Sequence, residues 1–279
     1  MTAITHNLPA DAVGVPAYRQ PQRVTQARVL RAEWTKLRTQ PSAYWTLLSA
    51  VILVVGFGIG YSVLRVARPP HGAAARAAFD PAAISLSGVQ LAQIAVGVLG
   101  VLLITSEYST GLIRTTFAAV PRRLPVLWSK AAVVAASITA VTVPAAFAAF
   151  TGGQTILARQ HLSVQLSQPG VARAVVGSAL YLAVVGLLGL GLGALVRNAA
   201  GGIAALFGLL YGLPLAASFL PGSMATDVTK FLPATAGQAV TSVQPDPTML
   251  QPWTGFGVLC LYAAVLLALS AARMRRADA

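Results

Sequence analysis

AVVGSALYLAVVGLLGLGLGALV, residues 174–196, carries no charged side chain from end to end. The hydrocarbon core of a bilayer is about 30 Å thick and takes roughly 20 helical residues to cross. This stretch is long enough. Five others of similar length and character lie at 44–64, 83–106, 131–150, 199–220 and 253–272, and none holds Asp, Glu, Lys, Arg or His in its interior. Backbone polar groups in lipid must be satisfied within the segment, so the runs are expected to be helices. They lack the apolar/polar alternation of a membrane β-barrel. A soluble bundle would need a polar face on each helix, and these have none. The composition agrees: 56% of the 279 residues are hydrophobic and only 10% charged, against about 25% charged in soluble domains. The expectation is an all-α integral membrane protein with six transmembrane helices in one domain, 44–272.

An even number of spans puts both termini on one side, and Lys and Arg choose the side. Arg19, Arg23, Arg28, Arg31, Lys36 and Arg38 precede the first span. Arg114, Arg122, Arg123 and Lys130 join the second to the third, Arg197 the fourth to the fifth, and Arg273, Arg275 and Arg276 lie in the tail 273–279. The opposite side holds Arg65, Arg68, Arg76, Arg159, Arg173 and Lys230. Fourteen against six predicts cytoplasmic termini in a multi-pass plasma-membrane protein. The formal charge of +13 is read as arginines meeting anionic headgroups of the lipid bilayer. No basic stripe interleaved with aromatics points to nucleic acid.

Residues 1–21, with Gly14, Pro9 and Pro16, read as a disordered cytoplasmic tail. Residues 22–40 read as an amphipathic interfacial helix, with Val24, Ala27, Leu30, Trp34 and Leu37 at helical spacing and arginines between them. The same pattern would serve a helix docked on a protein partner. The connection 221–252 is too polar to span and is expected to hold one or two short helices, parted at Pro233. Gly56 with Gly60, and Gly189 with Gly193, have the small-xxx-small spacing that lets helix backbones approach. Pro144 and Pro214 are candidate kinks. Cys260 is alone and inside a span, so it reads as a small apolar residue.

Chemistry is sparse. The chain offers no catalytic set, no metal-ligand spacing around His71 or His161, and no intramembrane ionisable group to power a secondary carrier. None of Lys36, Lys130 and Lys230 follows a glycine, so no phosphate-cradling G-x-x-x-x-G-K-[ST] loop exists. The chain is therefore not read as an enzyme, and no cofactor is assigned to it. Any pumping would draw on another subunit.

The connection ITSEYSTGLIRTTFAAVPRRLPVLWSK becomes the centre of attention. Leu112, Ile113, Thr116, Phe117 and Val120 give one apolar face to a short helix from about Tyr108 to Ala119. Such a helix can lie on lipid or fill a groove in a partner. For Glu107 the ordinary reading is a helix cap near a first turn. In the second span, Ser85, Ser87, Gln90 and Gln93 are costly in lipid and should face protein or a cavity. They are candidates for a substrate path, or for plain hydrogen bonding between helices.

The lead RAEWTKLRTQPSAYW, the connection just quoted and the string LPATAGQA (232–239) together resemble six-span permease subunits of type-2 ATP-binding-cassette (ABC) exporters. The likeness extends over residues 22–276. The resemblance implies that the lead helix lies at the cytoplasmic surface and that a cytoplasmic coupling helix between spans two and three seats in a separate ATPase subunit. Onto this chain it carries Glu107, Tyr108, Ser109, Thr110 and Gly111 as the entry element, and Leu112, Ile113, Arg114, Thr115, Thr116 and Phe117 as the coupling helix. It implies two ATPase copies, which would hold ATP and magnesium, and a second permease, identical or homologous. It also implies outward transport. A mostly apolar path suits an amphipathic or lipid-like compound. A membrane scaffold or signalling partner of an ATPase, and a stand-alone carrier or channel, are the rival functions.

Overall fold

The computed structural model describes residues 25–70, 72, 79–111, 123–244 and 248–276. All regular elements among them are helical: α1 Gln26–Thr39, α2 Pro41–Ala67, α3 Pro81–Ser85, α4 Val89–Ser109, α5 Arg123–Leu157, α6 Val171–Val196, α7 Ala199–Ala217, α8 Ser223–Thr229, α9 Pro233–Gln238 and α10 Pro252–Arg276. Six of them, α2, α4, α5, α6, α7 and α10, are long and apolar enough to cross a bilayer.

The centre of the bundle is α6, which packs on α4, α5 and α10. Its glycines explain why. A Cβ built on Gly189 would lie 2.1 Å from the Gly97 carbonyl oxygen, and one on Gly100 would lie 2.0 Å from that of Gly186. Two helices approach so closely only where both lack side chains. Gly193 likewise faces Val101 and Ile104. Gly56 and Gly60 behave otherwise: nothing lies within 4 Å of the position a Cβ would take. Within this chain, the close packing expected at that pair does not occur. The buried stripe of α2 is Ala43, Leu47, Ala50, Val54, Gly58 and Ser62, and the glycine pair sits off it, on the side of exposed Ile52 and Phe57.

Several elements depart from the sequence expectation. The run 83–106 is not one helix: it breaks at 86–88 between α3 and α4. Asp80 caps α3, its Oδ1 accepting from Ala82 N (2.9 Å) and Ala83 N (3.0 Å). Gly88 is then pressed onto the α2 backbone, 2.2 Å from the Leu53 oxygen to a notional Cβ. The third span begins at Arg123 rather than 131 and runs for 35 residues straight through Pro144. The fifth contains a π-helical turn, Gly208–Gly212, ahead of Pro214. The short helices α8 and α9 fall in the connection 221–252, with Pro233 opening α9. Residues 273–276 are not tail but the end of α10.

The buried stripe of α1 is Val29, Glu33 and Leu37, lying along α5, while Leu30 is half-buried and Trp34 is exposed. Of the apolar face read from the sequence, Leu37 is buried, Leu30 half-buried, and Ala27 and Trp34 exposed; the side turned to the bundle is centred on Glu33. The reason is charge pairing, and it leads directly to the site. Residues 1–24, Val24 included, lie outside the described residues.

Candidate functional site: an ionic joint and a neutral amide cluster

Glu107 sits in the last turn of α4, which closes at Ser109. A carboxylate there faces the negative end of the helix dipole. It is also buried, at 6% exposure, so it needs cations. Lys130 of α5 donates to Glu107 Oε1 at 3.0 Å and to Glu33 Oε2 of α1 at 2.5 Å. Lys36 of α1 donates to Glu33 Oε1 at 2.7 Å and to Glu107 Oε1 at 2.9 Å. Two carboxylates and two ammonium groups thus form a closed, neutral ring from three helices. Glu33, Glu107 and Lys130 are almost fully buried, and only Lys36 reaches solvent. Burial alone would lower the Lys36 pKa; the hydrogen bonds and charges of Glu33 and Glu107 outweigh it and raise the pKa. The reading of Glu107 as a cap near a first turn is corrected here, because its turn is the last of a helix and its partners are lysines.

Further ties gather at the same end. Gln26 donates to Ser129 Oγ at 2.9 Å and to the Pro125 carbonyl at 3.3 Å, fixing α1 to α5 a second time. The Arg197 guanidinium, following α6, lies 5.3 Å from the centroid of the Tyr108 ring. Arg273 of α10 donates to the Leu195 carbonyl. Beside the ionic ring lies a cleft of about 370 Å³ walled by Leu37, Leu103, Thr110 and Val133.

Tyr108 and Ser109 complete α4 instead of opening a new helix. Thr110 caps it, with Oγ1 bonded to the Ser106 carbonyl (2.7 Å), and Gly111 turns the chain at φ +72°. A left-handed φ there favours glycine and ends the helix. Of the helix expected from about Tyr108 to Ala119, the first two residues thus belong to α4, and the part beyond Gly111 lies outside the described residues. Leu112, Ile113, Arg114, Thr116 and Phe117 lie outside the described residues. The segment that carries them joins α4 to α5, the two spans bolted together by Glu107 and Lys130.

At the opposite end, the four polar residues of the second span divide. Ser85 is wholly buried and accepts from Gln154 Nε2 (2.9 Å), which also donates to the Pro81 carbonyl, while Gln154 Oε1 accepts from Val164 N (2.8 Å). This knits connecting segments together. Ser87 is half-buried, its hydroxyl 3.5 Å from the Phe57 carbonyl. Gln90 and Gln93 do converge. Gln93, 1% exposed, donates to Tyr211 Oη at 2.8 Å and the Gln90 carbonyl at 2.9 Å, and accepts from Tyr181 Oη. Gln238 of α9 donates to Gln90 Oε1 at 3.0 Å. A cavity of about 230 Å³ opens beside Gln90, Gln238 and Thr241.

Sequence reasoning missed Tyr181, Tyr211 and Gln238 in this cluster, and Glu33, Lys36 and Lys130 in the other. A tyrosine inside an otherwise apolar span was the available signal for the first group. No signal marks the second, since lysines beside spans are ordinary. Neither site has a nucleophile–base pair, and the described residues hold no group of His, Cys, Asp and Glu able to bind a metal. The ionic ring can carry force between helices; the amide cluster can exchange hydrogen bonds. Comparison with protein-family models and with curated proteins gives no match for this chain.

Proposed function

We propose that this chain is the membrane-spanning permease subunit of an ABC exporter, working with ATP hydrolysed by a separate subunit. Six apolar helices fit a transporter subunit, and the likeness of residues 22–276 to type-2 permeases supplies the particular reading. The observation that carries it is the ionic ring of Glu33, Lys36, Glu107 and Lys130. It unites α1, α4 and α5 at the very end where residues 112–122 connect α4 to α5.

In this reading that end is cytoplasmic and the segment around Ile113 sits in the ATPase. Closure of two ATPases on ATP and magnesium displaces the segment. The ring passes the displacement to α1, α4 and α5 as one body. ATP shifts the equilibrium only through its differential affinity for the two arrangements. A path between two permease copies then opens outward. An amphipathic or lipid-like compound suits the neutral lining offered by Gln90 and Gln93.

The test captures the tagged chain from native membranes and identifies any ATPase that co-purifies. Arg114→Asp or Phe117→Asp is expected to abolish co-purification; an unchanged complex removes these residues from the contact. In vesicles holding the complex, ATP-dependent efflux supports the exporter. ATP turnover without flux supports a scaffold, and flux without ATP or partner supports a stand-alone carrier.

A further inference from the structure

Arg173 stands in the first turn of α6, at the bundle end remote from the ionic ring. One of its guanidinium nitrogens, Nη2, donates to the Ser242 carbonyl at 2.7 Å. Its Nε is buried and has no hydrogen-bond partner among the described residues. The guanidinium is folded back against Gly170, whose φ of +86° and missing side chain make the room: a Cβ there would lie 3.2 Å from Nη2. Among the described residues the group is held in place by a carbonyl and meets no carboxylate. Arg197 also has a buried Nε without a partner among the described residues but lies over the Tyr108 ring, whereas Lys230 pairs with Asp227 and Arg65 lies over Tyr61.

The same guanidinium lines a cavity of about 180 Å³ with Ser242, Gln244, Met249, Leu250 and Gln251. No carboxylate is among the described lining residues. Gln244 and Gln251 add amide donors, and Met249 and Leu250 form an apolar floor. The positive end of α6 adds to the field. A pre-positioned guanidinium with spare donors matches the oxygens of a phosphate group better than any neutral ligand. The depth matters too. Arg173 opens one span, and Pro252 and exposed Trp253 open another beside it. Tryptophan at a span end marks headgroup level.

We propose that this cavity binds a phosphate-type oxyanion, with Arg173 as the principal ligand. The chemistry is shared by an anionic lipid headgroup and by free phosphate. The apolar floor next to the donors fits a headgroup joined to its acyl chains. The proposal is independent of the exporter reading and survives its failure.

The experiment starts from the full chain in bilayers of phosphatidylcholine and phosphatidylglycerol at roughly 4:1. Native mass spectrometry then counts the phosphatidylglycerol retained on release. Arg173→Gln is expected to lower retention about tenfold, the factor one charge-assisted hydrogen bond carries. Arg173→Lys keeps the charge and is expected to fall between. In detergent without lipid, protection of the wild type against heat by inorganic phosphate, lost in Arg173→Gln, would support the same chemistry with a soluble source. The proposal is overturned if neither lipid retention nor phosphate protection depends on residue 173. It is equally overturned if Arg173→Gln lowers stability alone, since Arg173 would then serve only to tie α6 to Ser242.

Discussion

The two ends of the bundle solve the burial of polar groups in opposite ways. At the α1 end, four full charges cancel one another: Glu33, Glu107 and Lys130 are buried, and Lys36 closes the ring from the solvent side. At the other end, Gln90, Gln93, Gln238, Tyr181 and Tyr211 exchange neutral hydrogen bonds. Buried ion pairs tolerate little rearrangement, because separating them strands a charge in low dielectric. An amide can trade a tyrosine for water or a ligand at small cost, because its bonds are worth only about 1 kcal/mol net. One end is therefore built to stay together when pushed, the other to come apart.

The largest effect is expected from breaking the ring. Lys130→Met leaves two carboxylates facing each other with Lys36 alone between them. Removing one partner of a buried pair costs about 3–5 kcal/mol, so thermal unfolding in detergent should move down sharply. Combining it with Glu107→Leu removes charge from both sides and should recover much of the loss. If Lys130→Met alone behaved like wild type, the ring would not be a joint. The α1 helix would then be held to α5 by Gln26 and its apolar stripe alone.

Between the two ends lies the α4/α6 crossing, which must be stiff if one end is to move the other. Gly189→Ala would drive a methyl to 2.1 Å from the Gly97 carbonyl. The backbones would have to part, at a cost of about 1–3 kcal/mol or more. Gly60→Ala meets nothing within 4 Å and should leave the stability of the isolated chain within about 0.5 kcal/mol of wild type. Equal sensitivity at the two positions would show that a second surface covers Gly60.

How far the sequence could be read follows from these particulars. The six spans were plain, because length and absence of charge are one-dimensional properties. The face of α1 was not. A single helix cannot reveal that Glu33 turns inward, since the reason is Lys130, 97 residues away. The same pairing hid the start of α5: Lys130 looks like a boundary cation but is 6% exposed. Gly88 reads as one more small residue in a span until α2 is laid against it. The Gly56/Gly60 and Gly189/Gly193 pairs are alike in spacing, and only the partner helix distinguishes them. Gln90 and Gln93 were legible as misfits in lipid, whereas Tyr211 depended on a π-helical turn that spacing does not announce.

At the neutral end the expected effect is smaller. Gln93→Leu removes the centre of the cluster but leaves Tyr181 and Tyr211 with hydroxyls that can turn elsewhere. Hydrogen bonds between membrane helices average about 0.6 kcal/mol, and the loss should lie near that value, a small fraction of the Lys130→Met effect. A Gln93→Leu/Tyr211→Phe double-mutant cycle, read by unfolding in mixed detergent, isolates the pair. A coupling as large as that of the ionic ring would erase the distinction between the two ends.

The smallest effect comes from pH and tests the exposed corner of the ring. Lys36 has a pKa raised above its ordinary 10.5. A base raised on folding contributes stability that is complete below its unfolded pKa and disappears as pH climbs through the folded one. The contribution of Lys36 should therefore be constant across the neutral range and begin to fall only above about pH 10. Because the Lys36 side chain is 38% exposed, solvent screens much of its share. Lys36→Gln should accordingly cost less than Lys130→Met and flatten the alkaline limb of the stability curve. A limb unchanged by Lys36→Gln would assign the alkaline loss to another group, and the ring would reduce to Lys130 bridging Glu33 and Glu107.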